Sequence, residues 1–194
     1  DYCQSELSVT RQLQEGIQFF GRKYPTMRYL AYFQAYTNTH GALSQLIARY
    51  EEALQVEGVV GLIIGTRPDC MPQPLLDYLA DLAQRTFVTV EYGVESTLDH
   101  TLERINRGHD YAAVVDAVTR TSQAGITTGA HLILGLPGET TDDMLSHAHR
   151  LSQLPLDTIK LHQLQLIRGT QMGEEYLQHP ERFAIPTIDD YIDL

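Results

Sequence analysis

Five stretches rich in Val, Ile, Leu, Tyr and Thr recur along the chain, over Arg28–Thr37, Val59–Thr66, Phe87–Gly93, Thr127–Gly135 and Thr158–Ile167. Between them, apolar residues fall at helical spacing: Leu43, Leu46, Ile47, Tyr50 and Leu54; Leu75, Leu76, Leu79 and Leu82; Val114, Val115 and Val118; Met144, Ala148 and Leu151. The order is strand, helix, strand, helix. A repeat of roughly 30 residues is one right-handed crossover unit, so the strands are expected to be parallel and covered by helices. A helix over Glu6–Phe20 precedes the first strand. A short extra helix is expected over Ser96–Asn106, ending at Arg107-Gly108, before one capped by Asp110.

Local punctuation agrees with the periodicity. Pro72 and Pro74 stand at a helix start, where a missing N–H costs little, and Gly58 and Gly125 stand where a helix gives way to a strand. Thr140 or Thr141 is placed to cap a helix ahead of Asp142 and Asp143.

Strands buried on both faces should be nearly all apolar, yet every second residue here is often polar. Gln34 and Tyr36 share one face, as do Thr89, Glu91, Gly93 and Glu95; His131, Ile133 and Gly135; and Lys160 and His162. The alternate positions, such as Val88, Val90, Tyr92 and Val94, are apolar or nearly so. A doubly wound sheet packs dry helices on both faces, whereas a closed or partly closed barrel has a lumen for a polar ligand. The expected architecture is therefore α/β, a TIM-like barrel with parallel strands. Its ligand site lies where the strands end. Those ends concentrate Gly, Thr, amides and charge, as in Gln34-Ala35-Tyr36-Thr37-Asn38 and Gly135-Leu136-Pro137-Gly138-Glu139.

Charge narrows the classes. Fourteen Lys and Arg against 25 Asp and Glu give a net charge of -11, which argues against a broad nucleic-acid platform. No apolar run approaches the ~20 residues of a membrane span, and no secretory or lipidation signal occurs, so a soluble, cytoplasmic protein is expected. Cys3 and Cys70 lie too far apart for a zinc site or disulfide framework and read as reduced thiols. The chain starts at Asp1 without Met and stops in the first turns of a helix, and is expected to be one barrel domain, 1–194, cut at both ends.

The candidate chemistry sits at the strand ends. Glu91 and Glu95, with Ser96, offer acceptors for ribose hydroxyls or an ammonium; the alternative is carboxylates paired to Arg67 or Lys160 and a helix cap at Ser96. Arg104 and Arg107, beside His109, form either a carboxylate or phosphate clamp or a helix C-terminal cap. His131 and His162 read as lumen histidines, and His147 and His149 as surface residues. Phosphate-loop, dinucleotide-turn, nucleophile-elbow and HExxH signatures are missing.

Taken together, YLAYFQAYT (Tyr29–Thr37), VGLIIGTRPDC (Val60–Cys70), EYGVES (Glu91–Ser96), INRGHD (Ile105–Asp110), AHLILGLPGE (Ala130–Glu139) and IKLH (Ile159–His162) resemble the YhcC-like branch of the radical S-adenosylmethionine (radical SAM) proteins. The resemblance implies a partial (β/α)6 barrel. It implies a 4Fe-4S cluster on a CxxxCxxC loop after the first strand, reducing S-adenosylmethionine to a 5'-deoxyadenosyl radical that abstracts a substrate hydrogen. By position, Gln34, Tyr36, Thr37 and Asn38 would lie near the methionyl amino group, and Glu91, Glu95 and Ser96 near the methionyl and ribose groups. Arg104 or Arg107 would lie near the carboxylate, with Ile133, Gly135 and Leu136 against the adenine.

This sequence departs from the family pattern in three places. CxxxCxxC is absent, so the resemblance leads to the expectation that the first strand and cluster cysteines lie upstream of Asp1, with no metal ligand in this chain and no activity or bound cofactor in the fragment. The Gln34–Asn38 rim lacks the family's glycines and acidic residue. In GxIxGxxE, His131 replaces the first Gly, and Gly138 takes the acidic place with Glu139 one later. A flavodoxin or ferredoxin would donate electrons, and tRNA is a substrate that the resemblance allows and the charge does not support. A cofactor-free lyase or hydrolase using Glu91, Lys160 and His162 as acid-base groups is the competing enzyme reading, with Lys160 and His162 the catalytic candidates in either. A non-catalytic binding module would not need the polar lumen. A missing first strand would also leave the Arg28–Thr37 strand as an exposed edge for self-association.

Overall fold

A computed structural model describes residues 7–23, 26–34 and 36–194. Its centre is one parallel sheet of five strands in sequence order: β1 (Tyr29–Phe33), β2 (Val59–Thr66), β3 (Phe87–Glu95), β4 (Thr127–Leu134) and β5 (Thr158–Gln163). Strands that never reverse their order curl one way into a half-barrel, where a doubly wound sheet would turn back at a switch point.

The two-residue period sorts the side chains. Leu62 and Ile64 of β2, Val88, Val90, Tyr92 and Val94 of β3, and Ala130, Leu132 and Leu134 of β4 form the outer, buried face. Against them pack α2 (Leu43–Leu54), α3 (Gln73–Ala83), α5 (Tyr111–Gln123) and α6 (Thr141–Leu151). Leu75, Leu76, Leu79 and Leu82 put four side chains of α3 into this core, each contributing on the order of 2 kcal/mol by burial. Tyr92 is tolerated there because its hydroxyl meets Thr121 Oγ1 at 2.7 Å. The outer face of β5 lacks such cover, and Ile159 and Leu161 stay 46% and 57% exposed. β1 is the opposite edge of the sheet, as expected.

Helix starts follow the capping rules. Asp110 accepts from Ala113 N to open α5, and Thr140 exchanges bonds with Asp143 in a capping box that opens α6. Gly58 and Gly125, at φ 87 and 75, make the helix-to-strand turns that residues with a Cβ resist.

Several expectations need correction. The first helix, α1, covers Val9–Gly21, while Cys3 and Glu6 lie outside the described residues. β1 and β5 stop at Phe33 and Gln163, short of the expected ends. The short helix α4 is Asp99–Arg104 and starts three residues late, because Ser96 and Thr97 are fully buried and spend their hydroxyls on other partners. His147 is not a surface residue: Met144, His147 and Leu151 make the inward stripe of α6, with His147 fully buried, while Ala148 and His149 are exposed. Two further helices, α7 (Gln171–Gln178) and α8 (Ile188–Asp193), follow the sheet.

Candidate functional site

Inside the half-barrel, a carboxylate gathers side chains from three other strands. Glu91 of β3 is 5% exposed. Its oxygens accept from Tyr32 Oη of β1 at 2.6 Å and from Lys160 Nζ of β5 at 2.7 and 2.8 Å, and His131 Nε2 of β4 lies 3.0 Å away. His162 Nε2 adds a fifth group, 3.3 Å from His131 Nδ1. Gly129, next to Glu91 in the ladder, leaves the room, since a Cβ there would come within 3.2 Å of Glu91 Cγ.

Burial alone would raise the Glu91 carboxyl, but hydrogen bonds from Lys160, Tyr32 and His131 outweigh it and hold the group below the usual carboxylate range. Burial and the adjacent anion push the Tyr32 phenol up. Burial also lowers His131, against the pull of Glu91. The lumen therefore holds an ionised Glu91 beside a lysine cation, with a neutral imidazole favoured at His131. Of the two pairings the sequence left open for Glu91, Lys160 is the partner.

The rim above is built by a distortion. The β3–β4 register slips between Gly93 and Glu95, and Glu95 takes φ 65, a left-handed conformation costly for a residue with a Cβ. This turns the Glu95 carboxylate to Arg107, 3.0 Å away. Asn106 and Gly108, also left-handed, reverse the chain after α4 and bring Arg107 over Gly93, whose carbonyl accepts from it at 3.0 Å. A Cβ at Gly93 would collide with both charged groups. Burial raises the Glu95 carboxyl, with Arg107 and then His162 opposing. Arg107 Nε is buried with no hydrogen-bond partner, a donor left over for an anion.

The remaining candidates divide. Ile133, Gly135 and Leu136 stand together at the end of β4, where Gly135 has φ 84 and Leu136 is buried. Arg104 does not join Arg107: it binds Glu175 of α7 at 2.9 Å and lines a separate cavity of about 350 Å³ with His100, Pro137, Gly138 and Arg182. Ser96 is fully buried, its hydroxyl donating to Glu139 and accepting from Leu98 N. On the β1 rim, Asn38 spends its amide on the Phe33 and Gly65 carbonyls, Thr37 is half-buried, and Gln34 and Tyr36 are exposed. Among the described residues no three His, Cys, Asp or Glu could hold a metal ion, and Cys70 is the one free cysteine.

Residues 7–151 match the model of the radical SAM superfamily. The chain belongs to this superfamily, in its YhcC-like branch. It is 40% identical to YtqA of Bacillus subtilis over 89% of this chain and 53% of that protein. It is 38% identical to YhcC of Escherichia coli over 91% of this chain and 56% of that protein, so it spans little more than half the length of these relatives. The solved structure of the archaeal Elp3 of Methanocaldococcus infernus shares the fold at TM-score 0.75 and 18% identity, over 91% of this chain and 46% of that one. No described helix of this radical SAM chain is long and apolar enough to cross a membrane.

Tyr32 joins the site as a residue outside the candidates from the strand ends; its signal is that it lies two residues before Gln34 and so shares its face. Glu139 stands in the turn after β4, one place beyond the acidic position of the family motif, and nothing in that placement signals its buried partner His147. The signal for His147 was its position three after Met144 and four before Leu151.

Proposed function

We propose that the protein is a radical enzyme that holds S-adenosylmethionine across the open ends of β3 and β4. Arg107 offers its guanidinium, including the unpartnered Nε, to the methionyl carboxylate, and Glu95 accepts from the ribose hydroxyls. Ile133 and Leu136 give the adenine an apolar wall, and Gly135 lets backbone approach it. Glu91 lies below this level, where its ring of donors shapes the lumen floor. The Gln34–Asn38 rim would stand on the methionyl amino side.

S-adenosylmethionine reduced at a 4Fe-4S cluster supplies hydrogen-abstraction chemistry; the described residues offer no ligand set for that cluster, so their part is to bind, orient and enclose. The observation that carries the reading is Glu95: a non-glycine residue at φ 65 whose carboxylate is paired to a guanidinium with a spare buried donor. The cofactor-free acid-base reading is weaker, because Glu91 already carries Tyr32, His131 and Lys160. A tRNA substrate gains nothing from this chain's charge of -11.

The test is anaerobic reconstitution of the full-length protein with iron and sulfide, then S-adenosylmethionine and dithionite, with 5'-deoxyadenosine as the readout. Formation that falls at least tenfold in Arg107→Ala is expected. An intact cluster without cleavage would overturn the radical reading, and an unaffected Arg107→Ala would overturn the assigned site.

A further inference from the structure

A second carboxylate–imidazole pair lies outside the lumen, wholly inside the protein. His147 of α6 and Glu139, which follows the left-handed Gly138, meet at 3.1 Å between Nε2 and Oε2, and neither side chain is exposed. The other ring nitrogen, Nδ1, lies 2.8 Å from Thr97 Oγ1, and the other Glu139 oxygen accepts from Ser96 Oγ at 2.5 Å. Arg150, one turn along α6, donates to the Thr97 carbonyl. A single buried network therefore ties the corner after β3 (Ser96, Thr97) to the turn after β4 (Gly135–Glu139).

No sheet hydrogen bonds do this, because the β3–β4 ladder ends at Glu95 and Leu132. Helix capping does not do it either: α6 is capped by Thr140 and Asp143, leaving Glu139 free for the Ser96 side. Burying a carboxylate and an imidazole is costly unless each polar atom is satisfied, and here both nitrogens and both oxygens are. That cost is spent where two loops must keep a fixed separation.

We infer that His147 and Glu139 are positioning residues for S-adenosylmethionine: they set the distance between the β3 rim, which carries Glu95, and the β4 turn, which faces the adenine. The inference rests on the proposed cofactor site. It makes a demand that mere structural support does not. Only a ligand spanning both loops senses their spacing, whereas one touching the adenine side alone does not.

The experiment measures binding of S-adenosylhomocysteine and of adenine, which lacks the ribose, to the reconstituted full-length protein by calorimetry, with far-UV circular dichroism and hydrogen exchange of residues 96–98 and 135–139 as controls. His147→Ala and Glu139→Gln should weaken S-adenosylhomocysteine at least tenfold, leave adenine within about twofold, and speed exchange in both loops. His147→Gln, which keeps an N–H donor, should recover part of the loss and covers the case in which His147→Ala does not fold. Equal loss for both ligands, or no loss for S-adenosylhomocysteine in folded variants, overturns the inference. Wild-type protein that binds neither ligand overturns the cofactor site itself.

Discussion

Tyr32 Oη and Lys160 Nζ stand 3.5 Å apart although 128 residues separate them and they lie on opposite edges of the sheet. Both end on Glu91, and the Lys160 ammonium also sits 4.9 Å above the Tyr32 ring. The curl of five strands is thus held across the lumen by side chains, and the contact is a coupling that can be measured.

Tyr32→Phe should cost about 1 kcal/mol, for one hydrogen bond to a charged acceptor at a partly exposed site. Lys160→Met should cost about 2 kcal/mol, because it leaves the Glu91 carboxylate buried without its cation, tempered by the 42% exposure of the lysine side chain. The double variant should fall short of the sum by at least about 0.5 kcal/mol in urea denaturation. Strict additivity would mean that the two edges are not coupled through Glu91.

The acid limb of stability should be steep. Glu91 and His131 both have folded-state values below their ordinary ones, so the unfolded chain binds more protons as pH falls. Their contribution is complete above the unfolded-state values and is lost as pH drops through them, starting at about 6.5 for His131 and continuing through the carboxylate range for Glu91. Glu95 runs the other way, since its raised value favours the folded state at low pH and not at high pH. Thermal melts of Glu91→Gln between neutral and acid pH should show a flatter profile than wild type.

Gly135→Ala should lose about 1–2 kcal/mol and weaken S-adenosylhomocysteine binding. The residue sits at φ 84, and a Cβ would come within 3.1 Å of Pro186, so both the turn and the segment over it must shift. Gly125→Ala, at φ 75 with open space around it, separates the two effects: it should lose similar stability and leave binding unchanged.

Thr140→Ala removes the capping box of α6 and should cost about 1 kcal/mol, read by denaturation. The bonds from the Thr140 backbone and hydroxyl also hold Asp143 below its usual value, so this contribution should fade as pH falls through the carboxylate range.

Much of the fold is legible in the order of residues. Periods of two and 3.6, with Gly58, Gly125, Asp110 and Thr140 as punctuation, set five parallel strands and their helices, because side-chain direction and capping are local properties. Alternation also separated the lumen positions Glu91, His131, Lys160 and His162 from the buried outer face, since one strand has only two faces.

What the local pattern could not decide is which polar groups meet. Arg104 and Arg107 stand three residues apart, yet one leaves for Glu175 and the other crosses Gly93 to Glu95, a choice made by chain reversal at Asn106 and Gly108. His147 looked like a surface histidine because burial of an imidazole depends on an acceptor supplied from elsewhere, here Glu139 and Thr97. Strand order, helix caps and the face each side chain takes follow from local residue patterns. The tertiary structure alone decided the partners, because a buried charge or hydroxyl is satisfied by whatever the curl of the sheet brings within about 3 Å.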